Sequence, residues 1–266
     1  MTTASEPTVL TDTRDGVRTI TMNRPQAMNG LNVEIKEALL EAVTEAAADE
    51  SVRAVVLTGT GRGFCVGQDL KEHLQLLESG DPTPLRTVEL HYNPIVTALA
   101  TMPKPVVAAV NGVAAGAGAS LALACDFRIV ASSAGFNFAF AGVALSCDTG
   151  VSWTLPRIVG TARAIDLLYF PRTIDAVESQ ELGLATKVVA DKELATAADE
   201  LATRLAAGPT VAYGAIRRAV NHSAGHDLAD SLVHEGEMMA LTGATADHRA
   251  AVDAFVAKQK PVFEGR

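Results

Sequence analysis

The sequence predicts an α/β fold over residues 1–190, followed by an all-helical region over residues 191–266. Three observations predict it. Short β-branched runs (RAVVLT at 53–58, PVVAAV at 105–110, FRIVA at 127–131) alternate with stretches of helical periodicity, the mark of an α/β domain. Glycines gather where these runs end, at Gly59, Gly61 and Gly63 and again at Gly112, Gly116 and Gly118. After Asp191 the strand signals stop, and four helical segments follow with no Ser/Gly-rich linker before them.

In chain order, residues 8–22 alternate around an Asp15-Gly16 turn signal and read as a hairpin. Asn23-Arg24-Pro25 breaks the pattern. Asn32 stands where it can cap a helix whose apolar positions Ile35, Leu39, Ala42, Val43 and Ala46 keep the 3.6-residue period. The strand at 53–58 runs into its glycines, and residues 70–77 read as a short helix. Residues 80–84 are a loop, and 85–100 a helix that kinks or restarts at Pro94. A buried strand at 105–110, a helix of small residues at 116–125 and a strand at 127–131 come next. Helices follow at 148–158, closed by Gly160, and at 163–170, and Val188-Val189 ends the last strand. Residues 192–207, 211–222, 227–241 and 246–258 complete a helical arm that packs on the core or on a neighbouring subunit.

Composition narrows the function. With 22 basic and 31 acidic residues the net charge is −9, which argues against nucleic acid and anionic membranes as main partners. An anionic small ligand still needs only a local basic patch. Cys65, Cys125 and Cys147 are odd in number, widely spaced and free of any CxxC, which suits a reducing cytoplasm rather than a disulfide framework. The histidines at 222, 226, 234 and 248 lack metal-ligand spacing, so no metal site is expected. The N-terminus is polar and carries an acid, unlike a secretory signal. Residues 105–125 are uncharged and long enough to cross a bilayer, but Asn111, Ser120 and three glycines favour a strand, a turn and a helix.

Two stretches carry chemistry. In NGVAAGAGASLALACD, residues 111–126, a strand runs through glycines into a helix, whose first amides lack intrahelical partners. Small residues there suit close approach of an oxyanion or phosphate, and equally suit tight strand–helix packing. The stretch has no GxGxxG, no Gly-Lys-Ser/Thr and no GxSxG, so dinucleotide, P-loop and serine-hydrolase readings fall away. In GTGRGFCVGQDL, residues 59–70, a second strand meets glycines and a helix, with Asp69 placed as an N-cap. Amides from both turns aimed at one point would make an oxyanion hole.

FCVGQDL and PVVAAVNGVAAGAGASLALACD together resemble the two signature stretches of the crotonase superfamily, the enoyl-CoA hydratase/isomerase family. The resemblance runs from Asn23-Arg24-Pro25 to Phe255 and Lys258. It implies a spiral of ββα units with a helical C-terminal arm, homotrimers or dimers of trimers, and acyl-CoA thioester substrates. No cofactor is implied, since coenzyme A arrives as part of the substrate. By the same resemblance the backbone N–H groups of Gln68 and Ala117 would be the oxyanion donors, helped by the helix dipole at Gly116. Alanine stands at 117 where the family usually has glycine. Coenzyme A would run along the 64–68 turn, past Phe64, Val66 and Gly67. Arg24 and Lys71 are candidates for its phosphates or adenine, or are solvated surface charges.

Typical hydratases of the family carry two glutamates, and the matching positions here hold Ser120 and Phe140. Neither supplies a carboxylate, so a standard hydratase is disfavoured. The remaining carboxylate is Asp148, in LSCDTGVSWTLPRIVG, with Phe140, Val143, Leu145 and Trp153 as apolar neighbours. Desolvated there it could take and return a proton; alternatively it caps the helix that follows. The sequence looks closest to the isomerases of phenylacetate degradation, which use an Asp at this place. The resemblance therefore implies an enoyl-CoA isomerase that moves a double bond through a thioester enolate. A hydratase with other acid–base groups, or a non-catalytic acyl-CoA-binding subunit, are the alternatives.

Overall fold

The computed structural model describes residues 6–266. Its strands are β1 (Val9–Arg14), β2 (Val17–Met22), β3 (Ala54–Gly59), β4 (Gly63–Cys65), β5 (Val106–Val110), β6 (Val113–Ala115), β7 (Phe127–Ala131), β8 (Gly135–Asn137), β9 (Ile174–Asp175) and β10 (Lys187–Val189). They form a six-stranded sheet in the order β1-β2-β3-β5-β7-β10 and a four-stranded sheet in the order β4-β6-β8-β9. Only the β1–β2 hairpin and the β8–β9 pair are antiparallel. Each of the pairs β3/β4, β5/β6 and β7/β8 gives its first strand to the large sheet and its second to the small one. The chain therefore winds as a spiral of β-β-α turns, as the resemblance implied.

The helices of the core are α1 (Val33–Ala48), α2 (Leu70–Glu78), α3 (Asn93–Thr101), α4 (Ala117–Ala124), α5 (Val151–Val159), α6 (Thr161–Tyr169) and α7 (Ala176–Glu181). Asn32 caps α1 as the sequence suggested, its side chain accepting from Ile35 N, and the apolar stripe from Ile35 to Ala46 is buried. The second sheet went unread because its strands hold only two or three residues. The helix expected over 85–100 with a kink or restart at Pro94 is a π-helical turn, Val88–Tyr92, followed by α3, which restarts at Asn93 with Pro94 at its second position. Helix α5 begins three residues later than expected, because Thr149 and Gly150 are both left-handed, at φ +52° and +77°.

The C-terminal helices are α8 (Leu194–Ala206), α9 (Thr210–Ser223), α10 (Leu228–Gly243) and α11 (Ala246–Val256). Leu194, Ala198, Ala202 and Leu205 of α8 are buried in the central core against β3, β5 and β7. Beyond it α9 pairs with α10, and Ile216, Val220, Leu232, Val233, Met239, Phe255 and Val256 are exposed on these last three helices. No described helix is long and apolar enough to cross a membrane.

Candidate active site

Two close approaches of backbone to backbone build the site. A Cβ on Gly118 would overlap the Cys65 carbonyl, so the small residues of α4 let it lie directly on β4. A Cβ on Gly67, at φ +81°, would stand 2.9 Å from Ala115 O and 3.2 Å from Ala117 N. Glycine at 67 thus brings the turn after β4 against the N-terminus of α4.

Two amides are left over by this packing. Leu31 N donates to Gly67 O (2.8 Å) and Asp69 N to Leu31 O (3.2 Å), a single parallel bridge that turns the Gln68 N–H to the opposite side. That N–H has no partner among the described residues. The first bond at the head of α4 runs from Ser120 N to Gly116 O (3.1 Å), which leaves the Ala117 N–H free. Packing and amide presentation are therefore both served by the small residues of residues 111–126.

Both amides border a cavity of about 640 Å³. Arg24, Val66, Gly67, Lys71, Gly116, Phe140 and Leu145 line it as expected, together with Asp148. Three expected site residues do not reach it. Phe64 is wholly buried, because its strand position turns the ring into the core. Ser120 is equally buried one turn into α4, its hydroxyl bonded back to Gly116 O at 3.1 Å. Trp153 is 42% exposed and carries the Arg157 guanidinium, one helical turn on, over its ring at 4.2 Å.

Asp69 and Asp148 are the carboxylates of the lining. Asp69 is occupied: it caps α2 by accepting from Lys71 N and Glu72 N, and it pairs with Arg24 at 3.0 Å. Burial raises its pKa, but the Arg24 guanidinium and the two amides outweigh burial and hold it below the usual carboxylate value. Asp148 caps nothing. Gly150 is the N-cap of α5, and the Asp148 side chain accepts one hydrogen bond, from Thr149 Oγ1 at 2.8 Å. Burial pushes its pKa up, opposed only by that hydroxyl.

The sequence left other members of the site unread. Tyr92, 1% exposed on the π-helical turn, lines the cavity and donates its hydroxyl to Gln68 Oε1. Burial, then the nearby Asp148 charge, raise its pKa. Behind it Lys36, also 1% exposed, donates to Thr87 Oγ1 at 2.7 Å and pairs with Glu72 at 3.5 Å, tying α2 and the π-helical turn to α1. Only the long-range topology joins these residues. A larger groove of about 880 Å³ lies at the base of the arm, but its Arg53 and Lys104 are spent on carbonyls of the chain. Cys65, beside the cavity turn, is pushed up to about 12 by burial and is an inert thiol.

With this geometry in view, the comparisons agree. The family model described as enoyl-CoA hydratase/isomerase matches residues 12–266. The "1,2-epoxyphenylacetyl-CoA isomerase" of Escherichia coli K12 is 42% identical over 97% of this chain and 98% of its own. A "Probable enoyl-CoA hydratase" of Rhodobacter capsulatus is 39% identical over 97% of this chain and 98% of its own. The solved enoyl-CoA hydratase of Bacillus anthracis superposes with a TM-score of 0.90 at 31% identity, covering 97% of this chain and 100% of that one.

Proposed function

This chain belongs to the enoyl-CoA hydratase/isomerase family, and we propose that within it the protein is an isomerase that shifts a double bond in an enoyl-CoA. The thioester carbonyl accepts hydrogen bonds from Gln68 N–H and Ala117 N–H, and the N-terminus of α4 adds its dipole. Negative charge growing on that oxygen is stabilised, which acidifies the α-carbon. Asp148 removes a proton at one carbon and returns it at another.

A single observation carries this reading: of the two carboxylates in the lining, one is fully engaged and Asp148 is the other. Hydration needs a base for water and an acid for the carbon, whereas one carboxylate on one face suffices for isomerisation. The raised pKa of Asp148 brings it nearer to neutrality, where it can both accept and donate. Coenzyme A enters as part of the substrate, with Arg24 and Lys71 at the cavity wall to meet it, and no separate cofactor or metal is needed.

We propose also that the protein works as a homotrimer or a dimer of trimers. Its accessible surface is 13,900 Å², against roughly 11,000 Å² expected for a compact monomer of its mass. The excess, with the apolar residues exposed on α9–α11, supports burial against further copies. The free thiols fit a cytoplasmic setting.

The test is conversion of a 3-enoyl-CoA to the conjugated 2-enoyl-CoA, followed by ultraviolet absorbance, for wild type beside Asp148→Asn. Turnover by wild type and a loss of roughly 10²-fold or more in the variant is expected. Absence of turnover in both, with hydration of a 2-enoyl-CoA instead, would overturn the isomerase assignment. Tight coenzyme A binding with neither reaction would point to a binding subunit.

A further inference from the structure

Thr149 is in an unusual conformation for its side chain. Its φ is +52°, a region where a β-branched residue is disfavoured and glycine or asparagine is at ease. The next residue, Gly150, is left-handed too, at φ +77°. Thr149 is also 1% exposed, so its hydroxyl has no water to turn to. That hydroxyl is not used in capping α5, whose N-cap is Gly150 with no side-chain bond. It donates instead to Asp148 Oδ1 at 2.8 Å, the only hydrogen bond the carboxylate receives among the described residues. Strain of this kind persists where the surrounding structure enforces it and gathers at functional sites.

From this geometry we infer that Thr149 is the positioning residue of the Asp148 carboxylate: its hydroxyl holds Oδ1 and leaves Oδ2 free toward the acyl group as the proton carrier. The inference rests on the isomerase reading for the identity of the step, but the hydrogen bond acts on Asp148 whatever the reaction. Two influences meet at the carboxyl: burial favours its neutral form, and the Thr149 hydroxyl favours its anion. Tyr92 on the π-helical turn feels its charge, and Arg24, Arg62, Asp69, Lys71 and His73 are the other charged or titratable groups that line the same cavity. Thr149 is thus the group that favours the ionised form of a partly buried carboxylate and holds it in one orientation.

Three variants test the idea. Thr149→Val keeps the shape and removes the hydroxyl, Thr149→Ser keeps the hydroxyl, and Thr149→Gly removes the hydroxyl while relieving the backbone. Two readouts are used: the pH profile of kcat/KM for double-bond migration, and the titration of the Asp148 carboxyl by ¹³C NMR, identified by its loss in Asp148→Asn. For valine and glycine we expect kcat near neutrality to fall roughly 10- to 100-fold, the acidic limb and the carboxyl titration to move up by about one pH unit, and KM to stay within a few-fold. Serine should restore both readouts. Glycine guards against misfolding, since it adopts the conformation freely and still lacks the donor. An unshifted carboxyl titration in both valine and glycine would overturn the inference, as would a serine variant as impaired as valine. Full activity in Asp148→Asn would instead defeat Asp148 as the proton carrier of the proposed isomerisation, and the carboxyl titration would still decide whether Thr149 holds Asp148.

Discussion

Substituting Gly67 by alanine probes the paired amides most severely. Gly67 has φ +81°, and its new Cβ would meet Ala115 O at 2.9 Å and Ala117 N at 3.2 Å. The left-handed conformation alone costs an L residue about 1–2 kcal/mol. For a chain of this size, about 2–4 °C of Tm is lost per kcal/mol, so the melting point should drop by roughly 2–8 °C. The contact adds a displacement. To reach ordinary packing distance the turn must move away from α4 by about 0.5 Å, the whole width of the useful N–H···O range. Gln68 N–H and Ala117 N–H then no longer converge on one oxygen, and losing one oxyanion donor costs about 10²–10³ in kcat. Gly80→Ala is the matched control: φ there is +69°, but nothing lies within 4 Å of the added carbon. It should lose similar stability and keep its rate. Steady-state kinetics on a 3-enoyl-CoA beside calorimetry would check both. A Gly67→Ala enzyme with kcat within about threefold of wild type would refute the claim that these two turns form the oxyanion hole.

Other outcomes follow from the same geometry. Gly118→Ala should cost more stability than Gly67→Ala, since its Cβ would overlap the Cys65 carbonyl outright, whereas at 67 the nearest backbone atom is 2.9 Å away; soluble expression with an unchanged Tm would contradict the packing of α4 on β4. Asp69→Ala removes the Arg24 pair and the cap of α2, and should lower stability by about 1–3 kcal/mol in chemical denaturation. Because folding depresses the Asp69 pKa, its contribution is present above the unfolded carboxylate value and fades as pH falls through the lower folded value. In the arm, the rings of His222 and His226 stack at 3.7 Å and those of His222 and His234 at 4.2 Å. Burial and then its two neighbours hold the His222 pKa below the ordinary histidine value. The unfolded arm therefore gains its proton first, and the stack's contribution, present at higher pH, is lost as pH falls below about 6.5. A His222 NMR titration at or above that ordinary value would disprove it.

The parts of the site that lie together in the chain were legible. Asn32 as a cap, Asp69 as a cap, and the amides of residues 66–69 and 116–118 all follow from local rules of turns and helix ends. Facing was harder. Trp153 turns out to Arg157 on the exposed face of α5, and a period of small residues could not show that Ser120 points inward. Strands of three residues, such as β4 and β6, carry no alternation to read. Tyr92 and Lys36 reach the site by long-range packing, and Thr149 by a backbone conformation that its residue type disfavours.

The most direct test of the central claim, that the amide pair acidifies the α-carbon and Asp148 moves the proton, is hydrogen exchange in D₂O. An enoyl-CoA would be incubated with enzyme, and loss of its exchangeable C–H signal followed by proton NMR for wild type and Asp148→Asn. The account predicts exchange catalysed by wild type and slowed by roughly 10²-fold or more in the variant, with substrate still bound. Equal exchange in the two would contradict it, leaving the oxyanion hole in place and the proton carrier elsewhere.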